Sequence, residues 1–270
     1  MAYIEPSEFV TKMVDSGEQK VYMSTKDTLI RGFMAGAILA LAAIFAITVA
    51  TKTGSNILGA CLFPVGFIMI YLMKFDLLTG VFTLVPLALL DKRPGVTFGG
   101  VMRNWGLVFT GNFAGALTVA FFMSFILTYG YATEGGIIAA KVAAIGESRT
   151  LGYQEHGFGG WMTIFIRGML CNWMVSMGVV GAMISTSAGA KMAAMWMPIV
   201  VFFYMGFEHS IVNMFLFPFS LIMGGEFTVY DYLIWNEIPT VLGNLAGGLL
   251  LVGLPLYLTH VKTSPNRKLI

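Results

Sequence analysis

Apolar residues run in six long blocks, at 28–51, 56–90, 105–129, 161–186, 193–223 and 240–260, separated by short polar stretches. Blocks of this length without strict alternation predict helices, and about 20 apolar residues rising roughly 1.5 Å each span a hydrocarbon core of about 30 Å. Six membrane crossings are therefore expected. The second and fifth blocks are too long for plain spans, since about 35 residues in one helix would reach roughly 50 Å. Each should break, and each carries charge in mid-block at a matching place. These places are Lys74-Phe75-Asp76-Leu77-Leu78-Thr79-Gly80 and Gly206-Phe207-Glu208-His209-Ser210.

The match extends into an internal repeat. At an offset of 132 residues Phe75-Asp76 aligns with Phe207-Glu208, Pro86 with Pro218 and Asn104 with Asn236. Gly111-Asn112-Phe113-Ala114-Gly115 aligns with Gly243-Asn244-Leu245-Ala246-Gly247, and Arg31-Gly32 echoes Arg167-Gly168. Three crossings per half is odd, so the halves must lie upside down relative to each other. Inverted repeats of this kind form their sites near the midplane, where paired helices break. The expected fold is an all-α integral membrane bundle of two inverted three-helix repeats. Its single transmembrane domain, 1–270, divides into an N-terminal segment (1–26), a first repeat (27–129), a loop (130–160), a second repeat (161–260) and a tail (261–270). IIAAKVAAI inside the loop predicts a short interfacial helix.

Composition agrees, with 57% apolar and only 11% charged residues in 270 and a mean hydropathy of +0.80. A soluble domain is about a quarter charged. The net charge of +2, with no basic and aromatic residues interleaved, gives no support to nucleic-acid binding. Cys61 and Cys171 sit in apolar stretches without CxxC or histidine neighbours, so neither a metal site nor a disulfide framework is expected. HExxH, GxSxG and P-loop patterns are absent, so no enzyme chemistry and no cofactor are expected; nor is there an NPA repeat. The N-terminus is polar and lacks the apolar core of a signal peptide. Lys12, Lys20, Lys26, Arg31, Lys92, Arg93, Arg103, Lys191, Lys262, Arg267 and Lys268 fall on the face shared by the termini, against Lys52, Lys141 and Arg149 on the other. That bias makes the terminal face cytoplasmic in a plasma (inner) membrane protein.

Ionisable residues at membrane depth usually face a cavity or a partner. His209 is the one histidine at such depth, read either as functional or as a neutral residue satisfied by backbone. Asp76 and Glu208 suit the capping of the half-helices that follow, with proton relay as the alternative. Thr79 and Asn213 offer neutral donors beside the breaks, either for a small anion or for freed backbone. Lys74 snorkels, pairs with Asp76, or lines a conduit.

With these residues the chain resembles the formate/nitrite transporter family over nearly its whole length. The most specific stretch is Gly206-Phe207-Glu208-His209-Ser210-Ile211-Val212-Asn213-Met214, followed by Leu170-Cys171-Asn172-Trp173-Met174-Val175, Arg103-Asn104-Trp105 and Gly111-Asn112. The resemblance implies an aquaporin-like fold of six helices, a homopentamer, and one anion pathway per protomer. It gives His209 as a central histidine faced by Thr79, with Asn172 and Asn213 as polar residues nearby. Phe63, Phe67 and Phe202 fall at the family's outer constriction, and Leu77, Leu78 and Val175 at its inner one. Lys74 and Leu78 depart from the family, which commonly has Gly and Phe there. A vestibule lysine of many relatives falls near His156, which argues against a fixed cationic attractor outside. The implied function is a channel for small monovalent anions. Nitrite comes first because 167–173 resembles the nitrite branch, and formate second. Hydrosulfide, a short-chain carboxylate, or a membrane module that transports nothing are the alternatives.

Overall fold

The computed structural model describes residues 3–263, and the expected basic residues Arg267 and Lys268 lie outside them. After α1 (Pro6–Tyr22) the chain enters its first crossing as α2 (Thr25–Thr53). The second crossing is split into α3 (Asn56–Leu62) and α4 (Pro64–Leu72), then α5 (Leu78–Leu90). The third is α6 (Phe98–Leu127), and the following loop carries α7 (Gly136–Ser148), over the expected interfacial helix, and α8 (Leu151–Gln154). The fourth is α9 (Gly157–Met183), and the fifth is split into α10 (Ala188–Tyr204) and α11 (Ser210–Ile222). The sixth, Val229–Lys262, contains α12 (Val229–Tyr232), α13 (Ile238–Gly248) and α14 (Leu254–Tyr257), interleaved with π turns. Four of the crossings are long and apolar enough to span a membrane unaided; the two split ones are pairs of shorter apolar helices.

Local chemistry sets these ends. Ser24 accepts from the Asp27 N–H at 3.0 Å and caps α2, which Gly54 closes in the left-handed region at φ 68°. The two breaks are built alike. Phe75 N–H reaches Ile70 O and Lys74 N–H reaches Tyr71 O, each at 3.0 Å, while Phe207 reaches Phe202 and Gly206 reaches Phe203 at 3.1 Å. This 6→1 and 5→2 pair is a Schellman ending, and it demands a left-handed residue. Gly206 supplies it at φ 65°; its repeat partner Lys74 does so at φ 58°, without the freedom of glycine.

Helices resume after the breaks because two buried asparagines hold them. Asn112 Oδ1 accepts from Leu78 N–H at 2.9 Å, and its Nδ2 donates to Gly32 O at 2.8 Å and Asp76 O at 2.9 Å. Asn244 repeats the pattern on Ser210 N–H (3.0 Å), Gly168 O (2.8 Å) and Glu208 O (2.9 Å). Close helix pairs deliver these side chains. A Cβ on Gly111 would stand 3.0 Å from Gly32 Cα, and one on Gly243 the same distance from Gly168 Cα, so α2 packs on α6, and α9 on α13, through glycine. The expected capping by Asp76 and Glu208 is corrected here: the freed N–H groups take asparagine oxygens from the next crossing.

The polar N-terminal segment forms an amphipathic helix that the sequence reading did not foresee. Phe9, Val10, Met13, Val14, Gly17 and Val21 are its buried face, and it packs against α5 at the end where the chain begins. The outer surface of the bundle stays apolar, with Leu41, Phe45, Phe121, Phe122 and Phe125 exposed, as a hydrocarbon environment requires.

Asn244→Leu leaves one N–H and two carbonyls unpaired at membrane depth, so we expect the folded protein to lose about 2–4 kcal/mol. Thermal unfolding in mild detergent measures it, with the exposed Thr110→Val as a control that should stay near wild type.

Candidate functional site

His209 is the N-cap of α11, and its Nδ1 accepts from Val212 N–H at 3.4 Å. A ring whose Nδ1 accepts carries its proton on Nε2, which stands 3.4 Å from Thr79 Oγ1 across the two breaks. Both residues are essentially buried, and the Phe202 ring stacks on the imidazole with centroids 5.5 Å apart. The structural alternative for His209 anticipated a backbone carbonyl as partner; the partner is a backbone N–H.

Each carboxylate beside a break is paired. Asp76 meets Lys20 Nζ from α1, not Lys74, which removes one of the three readings of that lysine. Glu208 accepts from Tyr153 Oη at 3.0 Å, Asn213 Nδ2 at 3.1 Å and Asn236 Nδ2 at 3.3 Å, and it lies 3.6 Å from Arg149. Arg167 donates to Tyr153 Oη at 2.7 Å. The repeat persists even here, since Asn104 donates to Lys20 O and Asn236 to Arg149 O, both at 3.0 Å. Buried charges survive at such depth only when paired and hydrogen-bonded.

Two cavities flank the histidine. One, of about 460 Å³, opens on the terminal face and is lined by Lys20, Arg31, Lys74, Lys191, Phe67 and Leu77 among others. The other, of about 250 Å³, opens on the opposite face; His209 and Phe202 line it with Lys141, Arg149 and Phe207. His209 borders the second cavity and Gly80 the first, so the Thr79–His209 pair stands between them. Leu78 and Val175 are buried and line neither; Phe63 stacks on Phe203 at 4.0 Å and meets Phe202 edge-on at 5.6 Å.

Several expected placements change. Phe67, grouped with Phe202 by the resemblance, lies one helical turn beyond Phe63 and faces the terminal cavity beside Leu77. Asn213 donates to Glu208 and to Asn236 Oδ1 at 2.6 Å, inside the carboxylate network and away from the imidazole. Asn172 donates to Thr79 O at 3.1 Å and Asn244 O at 2.6 Å, and so ties the two breaks together. His156 lines a separate depression with Tyr153, Arg149 and Arg167. On the face opposite the termini, the cavity beside His209 is lined by two cationic residues, Lys141 and Arg149.

The family model for formate/nitrite transporters matches residues 7–258. The chain belongs to this family. Among similar proteins, the uncharacterized transporter YrhG of Bacillus subtilis (strain 168) is 32% identical, the alignment covering 99% of this chain and 98% of that one. The formate channel BtFdhC of Bacillus thuringiensis is 31% identical over 99% of this chain and all of its own. The structure resembles a pentameric formate channel with formate bound, with a TM-score of 0.72 and 23% identity over 87% of this chain and 96% of that chain. The aquaporin-like fold of six crossings thus holds, and members of the formate/nitrite transporter family are channels and transporters, not enzymes.

The sequence reading of this family member missed Lys20 and Arg149 as partners of the break carboxylates. The signal was present in Asn104 and Asn236, whose alignment places the backbone of Lys20 and of Arg149 against equivalent side chains. We expect Arg149→Met to lower stability by about 2 kcal/mol, because it strips Glu208 of its cation, and Arg167→Met to cost less. Melting temperatures of the two variants in one detergent test the order.

Proposed function

We propose that the protein conducts small monovalent anions, formate and nitrite, through each protomer past His209. The observation that carries this reading is one buried imidazole–hydroxyl pair standing between two cation-lined cavities, each narrowed by apolar side chains. Formate is placed ahead of nitrite, because among relatives of 30% identity or more with a substrate in their names several name formate alone and one, from Toxoplasma gondii, names formate and nitrite together. Nitrite has the same charge and a similar bent three-atom frame. The terminal face is the cytoplasmic one, from its excess of Lys and Arg.

An anion approaching from outside meets Lys141 and Arg149, which raise its local concentration. It then sheds water against Phe202 and reaches the imidazole. A bare anion pays heavily in an apolar slit, so groups that donate at its centre lower the barrier. Nε2–H of His209 is such a donor, and the Thr79 hydroxyl beside it is a second. His209 acts as a neutral donor here, because a proton on Nδ1 would cost the Val212 cap. Neutral donors hold an anion without trapping it. Beyond the pair, Leu77, Leu78, Val175 and Phe67 form the inner narrowing, and Lys74 receives the anion in the wide terminal cavity. Asn172 and Asn213 serve by fixing the breaks.

His209→Phe removes the donor and keeps the ring. Formate and nitrite flux into proteoliposomes should fall at least about tenfold, while the oligomer survives and gives up only the Val212 cap, about 1–2 kcal/mol of stability. Wild-type flux from a well-folded His209→Phe protein overturns the role of the imidazole. The resemblance to a pentameric channel, together with the glycine-faced helices and exposed apolar surface, supports a homopentamer. Native mass measurement in mild detergent should give five chains, and a stable monomer would contradict it.

A further inference from the structure

The terminal cavity is built for more than the entry of a three-atom ion. Its volume of about 460 Å³ lies in the range of about 300–1,000 Å³ that small-molecule sites occupy. Four cationic side chains line it against one carboxylate, and that carboxylate, Asp76, is already taken by Lys20. Among the described residues Arg31, Lys74 and Lys191 have no acidic partner within ion-pair distance. Three unneutralised charges therefore share one concave space with low-dielectric walls, an arrangement that focuses potential on anions.

Two further features point the same way. Lys74 holds φ 58° at the position where the other half of the protein has Gly206, a conformation that costs a non-glycine residue about 1 kcal/mol or more. The lysine held there lines the cavity. Lys191 sits in the first turn of α10, whose Ser187 N-cap makes no side-chain hydrogen bond and whose first turn has no acid. A cation at the positive end of a helix is the unfavourable arrangement, and an anion placed between them reverses its sign.

We propose that this cavity binds a soluble multivalent oxyanion, of the diphosphate or polycarboxylate class, which is too large to pass the Leu77 narrowing and closes the terminal entrance while bound. Arg31, Lys74 and Lys191 supply its charge-assisted hydrogen bonds, and the uncapped N-terminus of α10 supplies the fourth wall. A monovalent ion neutralises one of the three charges and binds weakly; a multivalent one neutralises all of them. Binding stands apart from the conduction reading, whereas closure of the entrance rests on it.

Pyrophosphate is the probe, titrated calorimetrically against the whole protein in nanodiscs of phosphatidylcholine, with formate in parallel. It should bind at least about tenfold more tightly than formate, and Lys191→Met and Lys74→Gly should each weaken it about tenfold, the scale of one charge-assisted hydrogen bond. Lys74→Gly is the decisive variant, because relief of the left-handed strain should raise its melting temperature even as binding falls. Equal affinity for pyrophosphate and formate, or an unchanged pyrophosphate constant in both variants, overturns the proposal. So does pyrophosphate that fails to bind in phosphatidylcholine while an anionic lipid co-purifies on the same residues, since the occupant is then a headgroup. In proteoliposomes pyrophosphate on the terminal side should slow formate flux. Undiminished flux with intact binding removes the closure, and absence of formate flux altogether defeats the conduction reading while the binding result stands.

Discussion

A helix that stops inside a hydrocarbon layer exposes N–H and C=O groups to a medium that cannot hydrogen-bond them, and each such group costs several kcal/mol if left alone. This chain stops twice, at Met73 and Met205, and both stops are made tolerable by one asparagine each from the following crossing. Asn112 and Asn244 each accept from the restarting helix and donate to the carbonyl of the break and to a glycine of a neighbouring crossing. The amide is suited to this because it offers one acceptor and two donors from a rigid, neutral group. The rest follows from the need to deliver it. Glycine at the α2–α6 and α9–α13 crossings lets the backbones approach, and the inversion of the halves brings the two breaks face to face.

Within that symmetric frame, the halves differ in the side chains they place at the breaks. His209 corresponds in the repeat to Leu77, and Thr79 to Ile211, so the donor pair is present once and points across the axis. Phe202 corresponds to Ile70, and each borders the cavity of its own side. Lys74 corresponds to Gly206 and gives the terminal cavity a charge that the opposite one lacks at that position. The same fold thereby presents an apolar leucine to one side of the centre and an imidazole to the other.

The carboxylates show how peripheral segments become part of the centre. Asp76 and Glu208 lie between the left-handed residues and the helices that resume, and both pair with cations from outside the bundle. Lys20 comes from α1 on one face and Arg149 from the end of α7 on the other. An amphipathic helix and a loop thus anchor to the breaks themselves, which ties the stability of the breaks to α1 and to the segment between the third and fourth crossings.

Hydropathy alone determined the six crossings, because a span is a local property of about 20 residues. The excess length of 56–90 and 193–223 likewise forced the two breaks, and three crossings in each repeat, an odd number, forced their inversion. The amphipathic face of α1 was also written in the spacing of Phe9, Val10, Met13, Val14, Gly17 and Val21, within a segment whose polarity hid it. Family membership rested on the motif around His209. What only the tertiary structure decided were the partners. Asn112, 34 positions along the chain from Leu78, became a cap; Lys20, rather than Lys74, became the partner of Asp76; Phe67 turned to the terminal cavity; Asn172 and Asn213 became struts. Each of these depends on which side chains meet across crossings far apart in the chain, and hydropathy, being local, carries no record of such distances.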